Sequence, residues 1–470
     1  MFFDLQNTEE LSDINFDIII VGAGAAGITL AKKIESSGKR VALVEGGGEE
    51  WSDISQDCYK GQVIGDPYFK LDVARLRFFG GTTNHWAGWC RSFEEIDFQR
   101  SYLGPEYKWP ITFNDIERYK DEACTILEIP SDFKDVSSAD SNIKEIKFQF
   151  SPPVQFKEKY LKHIKLSSSI TLLLNANLVD LVGENRSVNM AIFESFNGNQ
   201  IKLSGNKIIL AMGGIENSRF LLYMSQKHQN HFFDDKLPIG KFWMEHPHFT
   251  MGKALVDKKK VPGFYYSLNT SAQLSNRILN CGFRVEHLHD EGTKSLIRDV
   301  LCLAPRLGSK LVKLADKNLV CGVELRAAWE QAPNIENAVQ LDVNSVDSFG
   351  IPRTILRWHK TEFDRKTVKK SVDEFNRWLL EIDGGRIQLL DWILNDKEYP
   401  ENDELAGYHH MGGTRMHQST TFGVVDANCK VHGSNNLFIA GSSVFTTGGH
   451  NNPTLPIVQL SLKLANHLII

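Results

Sequence analysis

Residues 16–27 read Phe16-Asp17-Ile18-Ile19-Ile20-Val21-Gly22-Ala23-Gly24-Ala25-Ala26-Gly27, a β-branched apolar run stopped by three spaced glycines. Such a run predicts a strand buried on both faces, as in a parallel sheet. Ile28 to Ser36 has helical spacing, with Ile28, Ala31 and Ile34 on one face. Gly38 ends that helix, and Arg40 to Glu45 reads as a second strand. Strand, helix and strand within about 30 residues make the βαβ unit of a doubly wound sheet.

The glycines fit G-x-G-x-x-G. Gly22 permits a tight turn, Gly24 lets backbone approach a pyrophosphate, and Gly27 lets the helix pack on the strand. Gly22 to Gly27 forms the turn, and the helix that follows offers free N–H groups and its positive dipole end to phosphates. Glu45 ends the second strand, where an acid accepts hydrogen bonds from ribose hydroxyls and disfavours a 2′-phosphate. The fingerprint predicts a bound dinucleotide but does not separate FAD from NAD.

Two later segments repeat the pattern of apolar strand and small-residue turn. Lys207 to Ala211 runs into Met212-Gly213-Gly214 and a helical stretch from Ile215 to Met224. Asn436 to Ala440 runs into Gly441-Ser442-Ser443. Between them, residues 250–285 and 318–358 alternate apolar with polar, as half-buried antiparallel strands do; Gly322 to Ala328 and Ala338 to Val343 are examples. Thr361 to Ile382 has helical period. The expected fold class is α/β: a doubly wound, Rossmann-like dinucleotide domain with an inserted α+β substrate domain on an antiparallel sheet. The expected division gives 1–100, 165–245 and 405–470 to the first, and 101–164 and 246–404 to the second.

Composition narrows the function classes. The chain has 470 residues, 53 Lys+Arg against 58 Asp+Glu, and a net charge of −5. That balance argues against a nucleic-acid partner. The cysteines, Cys58, Cys90, Cys124, Cys281, Cys302, Cys321 and Cys429, form no C-x-x-C pair and read as reduced core thiols. The first residues lack a basic start followed by an apolar run, and Ile18 to Leu30 is too short to span a bilayer, so a cytoplasmic protein without a membrane span is expected. Glu245-His246-Pro247-His248 offers two histidines and an acid, but no further ligand spacing supports a metal.

Three more motifs stand out: Arg77-Phe78-Phe79-Gly80-Gly81-Thr82-Thr83-Asn84-His85-Trp86, then Gly407-Tyr408-His409-His410-Met411-Gly412-Gly413-Thr414-Arg415-Met416, then the tail from Leu437 to Pro456. With the fingerprint, this set resembles the glucose–methanol–choline (GMC) oxidoreductase family, in particular the bacterial branch resembling pyranose 2-oxidase and FAD-dependent sugar dehydrogenases. The resemblance covers the first hundred residues, Ala211 to Asn217, Glu245 to Pro247, and the last seventy; the middle matches loosely. Members bind FAD and usually oxidise an alcohol to a carbonyl.

The resemblance implies site residues. The catalytic histidine of H-x-x-G-T-x-R-M falls on His409, with Gly413 where the family often has Thr, and with His410 as the competing register. A histidine suits the task because its pKa lies near working pH. The second catalytic residue falls on Asn452, before Pro453, with His450 as rival. The cofactor set is Gly22, Gly24, Ala25, Ala26, Gly27, Glu45, Gly80, Gly81, Thr82, Asn84, His85, Ala211, Gly213, Gly441, Ser442, Asn452 and Pro453. His85 is either joined covalently to the FAD or only packed beside it. Backbone near Ala176 to Leu178, within a strand from Ile170 to Val182, is expected at the adenine.

The implied activity is proton abstraction by His409 and hydride transfer to flavin N5 from a sugar, glycoside, cyclitol or related polyol. An acceptor (oxygen, a quinone or a redox protein) would reoxidise the flavin. Three readings compete: a flavin enzyme without net redox, such as a lyase, an FAD protein without chemistry that serves as a scaffold or carrier, and an NAD-dependent dehydrogenase. The oligomeric state is left open.

Overall fold

The computed structural model describes residues 1–7, 14–137, 141–229, 231–257, 259–287, 323–401 and 403–470. Cys302, Cys321 and Gly322, the last at the head of an expected strand, lie outside the described residues. The other five cysteines are buried free thiols.

The fingerprint strand is Ile14–Val21, and it lies in a parallel sheet. Val41–Val44 flanks it on one side and Gln200–Leu210 on the other, all in parallel register. Ile170–Leu174 and Phe2–Asp4 extend the sheet beyond Val41–Val44. Leu437–Ile439 pairs parallel with the end of Gln200–Leu210. Ile18, Ile19 and Ile20 are buried because helices cover the sheet's faces. The helix Ala25–Glu35 supplies Ile28, Leu30, Ala31 and Ile34, and the C-terminal helix Thr454–Ile469 supplies Leu455, Val458, Leu462 and Ala465.

One expected strand is corrected. Ile170 to Val182 is not continuous: Asn175 takes φ 53 and divides it into Ile170–Leu174 and Asn177–Glu184. The second half turns away and forms an antiparallel meander with Ser187–Glu194 and Gln200–Leu210.

The middle of the chain forms an antiparallel sheet, ordered Gly385–Leu389, Pro247–Val256, Val323–Trp329, Cys281–His287, Tyr265–Leu268, Ile143–Glu145, Val136–Ser137. Alternation along Val323–Trp329 sends Val323, Leu325, Ala327 and Trp329 inward. The helix Glu362–Glu381 covers this face with Val368, Val372, Phe375 and Leu379, at helical spacing. Its start is a capping box in which Thr361 and Asp364 satisfy each other's backbone N–H groups. A second correction concerns Ala338–Val346. This strand leaves that sheet and joins Pro352–Trp358 and Gly61–Gly65 in a separate three-stranded sheet, so a strand from the first hundred residues sits among strands from the middle.

Candidate active site

The carboxyl ends of the parallel strands converge, which is where ligands bind in open α/β sheets. Gly22 N donates to Val44 O at 2.7 Å, Ala211 N to Val21 O at 2.7 Å, and Ala440 N to Leu210 O at 2.8 Å. Asn217 ties the turns together: its Oδ1 accepts from Met212 N, while its Nδ2 donates to Ala440 O and Ser443 Oγ. The tail then runs beside the histidine motif. Gly412 N donates to Ser442 O and Thr414 N to Ser443 O.

A cavity of about 620 Å³ opens over these ends, within the range of ligand sites. Its wall carries Gly22, Gly24, Ala25, Ala26, Glu45, Gly81, Thr82, His85, Ala211, Gly213, Gly441, Ser442, Asn452 and Pro453, with His409 and His410. Ala176 and Leu178 stand there too. A Cβ placed on Gly24, Gly213 or Gly441 would meet nothing within 4 Å, so three backbones leave open space beside the helix start at Ala25. That cradle suits a long phosphate-bearing ligand. Glu45 is held by two backbone N–H groups: Oε2 accepts from Ala23 N at 2.8 Å and Oε1 from Gly47 N at 3.0 Å. Each oxygen keeps a second acceptor position.

Three expected residues do not reach the wall. A Cβ on Gly27 would sit 1.9 Å from Gly22 O, so this glycine serves the helix–strand contact. Gly80, at φ 93, donates its N–H to Ala23 O and shapes the loop. Asn84 turns back, donating Nδ2 to Phe79 O. Residues not expected from the sequence also line the cavity, among them Tyr59, Arg75, Arg77 and Glu216. Arg75 binds Glu216 at 2.7 Å and lies over the Tyr59 ring. Arg77 is anchored by Asn177 Oδ1 and Ser55 Oγ.

At the other end His409 and Asn452 meet. Asn452 Nδ2 lies 3.2 Å from His409 Nε2. Behind them, His409 Nδ1 lies 2.8 Å from His246 Nδ1, and His246 Nε2 lies 2.7 Å from Gly449 O. A two-way backbone bridge between Met244 and Met411 sets this register. One carboxylate oxygen of Glu245 accepts the N–H of both His246 and His409 at 2.7 Å, and the other contacts Tyr68 Oη. Burial pushes the Glu245 carboxyl up to about 7. Burial, with the neighbouring histidines, holds the His409 imidazole well below the ordinary range, so it is neutral. The rivals are placed differently. His410 is at the wall but its Nε2 is sealed from solvent, and His450 is buried off the wall. The sequence offered His246 as a metal candidate and within the Glu245 to Pro247 resemblance, with no catalytic role; both its ring nitrogens are engaged.

Residues 333–461 match the family model described as GMC oxidoreductase, and residues 17–56 match one described as FAD binding domain. The chain is similar to the fructose dehydrogenase large subunit of Gluconobacter japonicus, at 20% identity over 97% of this chain and 98% of that one. It is similar to 2-methyl-1,2-propanediol dehydrogenase of Mycolicibacterium austroafricanum, at 20% identity over 96% and 95%. Among solved structures, pyridoxine 4-oxidase from Mesorbium loti shares the fold, with a TM-score of 0.59, 16% identity, and 96% and 99% of the two chains covered.

Proposed function

We propose that this chain is an FAD-dependent oxidoreductase of the GMC family that oxidises a CH–OH group of a small polyhydroxylated molecule, with His409 as base and Asn452 as orienting donor. The observation that carries the reading is the bare side of a neutral imidazole facing an amide donor at 3.2 Å, on the wall of the cavity that suits the cofactor.

Bound FAD would supply the acceptor for the hydride, which carries both electrons of the oxidation. The protein does the rest. An alcohol hydroxyl that takes the place of the direct Asn452–His409 hydrogen bond donates its proton to His409 Nε2, and its oxygen accepts from the Asn452 amide. As the proton leaves, that amide stabilises the developing negative charge on oxygen. Burial keeps His409 unprotonated and ready. Gly24, Ala25, Gly213, Gly441 and Ser442 would hold the pyrophosphate side, and Glu45 the ribose. His85 stands on the wall, its pKa lowered by partial burial, and a neutral imidazole there suits covalent attachment to the flavin.

Substrate class rests on two supports. The relatives' names carry a sugar and a diol. The cavity wall also includes Trp86, Trp89 and an exposed Tyr408 stacked on Phe69 with ring centroids 4.0 Å apart. Flat rings cover the C–H face of a sugar while leaving its hydroxyls free. Anaerobic mixing of the holoprotein with a panel of sugars, glycosides, cyclitols and diols tests the reading: at least one should bleach the flavin and leave a carbonyl product. A flavin that dithionite reduces but no polyol does would reject it.

A further inference from the structure

The histidine pair behind the cavity fixes a detail that decides whether His409 can act. A carbonyl oxygen can only accept a hydrogen bond, so the His246 nitrogen 2.7 Å from Gly449 O must carry a proton. His246 is neutral: burial drives its pKa down to about 3. A neutral imidazole has one N–H, so His246 Nδ1 presents a lone pair. His409 Nδ1 approaches that lone pair at 2.8 Å, with the rings nearly perpendicular at 86°. Two lone pairs at that distance would repel, so His409 Nδ1 carries the proton between them. His409, neutral as well, then has no proton on Nε2. The amide donor of Asn452 is what that lone pair meets. Every donor in the chain Gly449, His246, His409, Asn452 finds an acceptor, and the opposite assignment fails at its first link.

We infer that His246 is a positioning residue for the oxidation proposed above: it holds His409 as the tautomer protonated on Nδ1, so that Nε2 faces the cavity as a bare base. The role rests on His409 being that base. In isolation an imidazole has no such constraint, and the hydrogen bond at one nitrogen selects the state of the other. When the substrate O–H bond breaks, its proton forms the Nε2–H bond of His409. The resulting imidazolium still donates Nδ1–H to His246, which keeps its own proton and receives none. This is a fixed acceptor, not a relay.

Other groups around His409 do not compete for the position. Glu245 takes backbone N–H groups from both histidines, which sets where the rings stand and not which nitrogen is protonated. His248, with its ring 6.3 Å from that of His409, directs Nδ1 toward Glu404. His410 adjoins in sequence and faces Tyr68 and Trp243. One tail segment supplies both ends of the chain, the Gly449 carbonyl and the Asn452 amide.

The test is nitrogen NMR of the FAD-loaded protein labelled with ¹⁵N-histidine, the His409 signals being those missing from His409→Gln. In wild type, Nδ1 should show a protonated shift and Nε2 an unprotonated one. His246→Ala should mix the tautomers and slow anaerobic flavin reduction about 10²-fold, the low end of a positioned base's contribution. His246→Asn places an amide oxygen where Nδ1 was; it should restore the Nδ1–H signal and most of the rate. A protonated Nε2 in wild type, which needs no variant to fold, overturns the inference, as does an unchanged tautomer in a folded His246→Ala. If the tautomer follows His246 while His409→Gln still reduces its flavin at the wild-type rate, the oxidation reading fails and the positioning stands. If His409→Gln is dead and the tautomer ignores His246, the inference fails and the oxidation stands.

Discussion

The side-chain amide of Asn452 lies 3.2 Å from Nε2 of His409, although 43 residues separate them in the chain. A donor and an acceptor thus stand side by side on the cavity wall, the pair a hydroxyl needs if it is to lose a proton and keep its oxygen held. Asn452→Ala removes the oxygen's donor and leaves the base. Flavin reduction should fall by about 10–10³-fold, in the range of a lost charge-stabilising donor, with FAD content unchanged. Stopped-flow reduction of both proteins at saturating substrate checks this.

The low pKa of His409 sets a pH profile. Its base form is the unprotonated one, and burial moves protonation below the ordinary 6.5. The rate of flavin reduction should therefore be flat from pH 6.5 upward and fall only at more acid pH. The linkage to folding has the same sign: a histidine whose folded pKa is depressed contributes stability that is complete above its unfolded pKa and lost as pH falls. Rates measured from pH 5 to pH 9, both values being about the usable range for a histidine base, give the position of the acid limb.

Two glycines of the fingerprint should fail in different ways. Gly24 has φ −89, and a Cβ there meets only open cavity. Gly24→Ala should fold with its apoprotein Tm unchanged and bind FAD more weakly, by about tenfold or more for one lost close approach. A Cβ on Gly27 would press into Gly22 O at 1.9 Å. Gly27→Ala should lower apoprotein stability by about 1–3 kcal/mol, the cost of overpacking. Thermal melts of both apoproteins and FAD titrations separate the two.

His85 offers a simple readout. Wild-type protein precipitated with acid should keep a yellow pellet, and His85→Ala should release its flavin to the supernatant. A colourless wild-type pellet means that the imidazole only packs beside the cofactor.

Much of this site could be read from the sequence because local chemistry fixes it. The run Ile18 to Val21 before Gly22 can only be a buried strand, and the glycine spacing and Glu45 then follow as one βαβ unit. The pairing of His409 with Asn452 was readable only through family resemblance, since nothing local ties residues 43 apart. Other features were illegible for physical reasons. Asn175 breaks its strand by adopting a left-handed conformation that asparagine tolerates and apolar periodicity does not signal. Ala338–Val346 alternates like its neighbours, yet tertiary pairing sends it to another sheet with Gly61–Gly65. His246 is defined by partners at Gly449 and His409, each more than a hundred residues away.

On the function proposed above, an alcohol loses its hydroxyl proton to His409 as the flavin is reduced. Single-turnover reduction under anaerobic conditions, comparing wild type with His409→Ala on the same polyol, addresses it most directly. The variant should hold FAD and reduce it about 10²–10⁴-fold more slowly. Equal rates in the two proteins would contradict it.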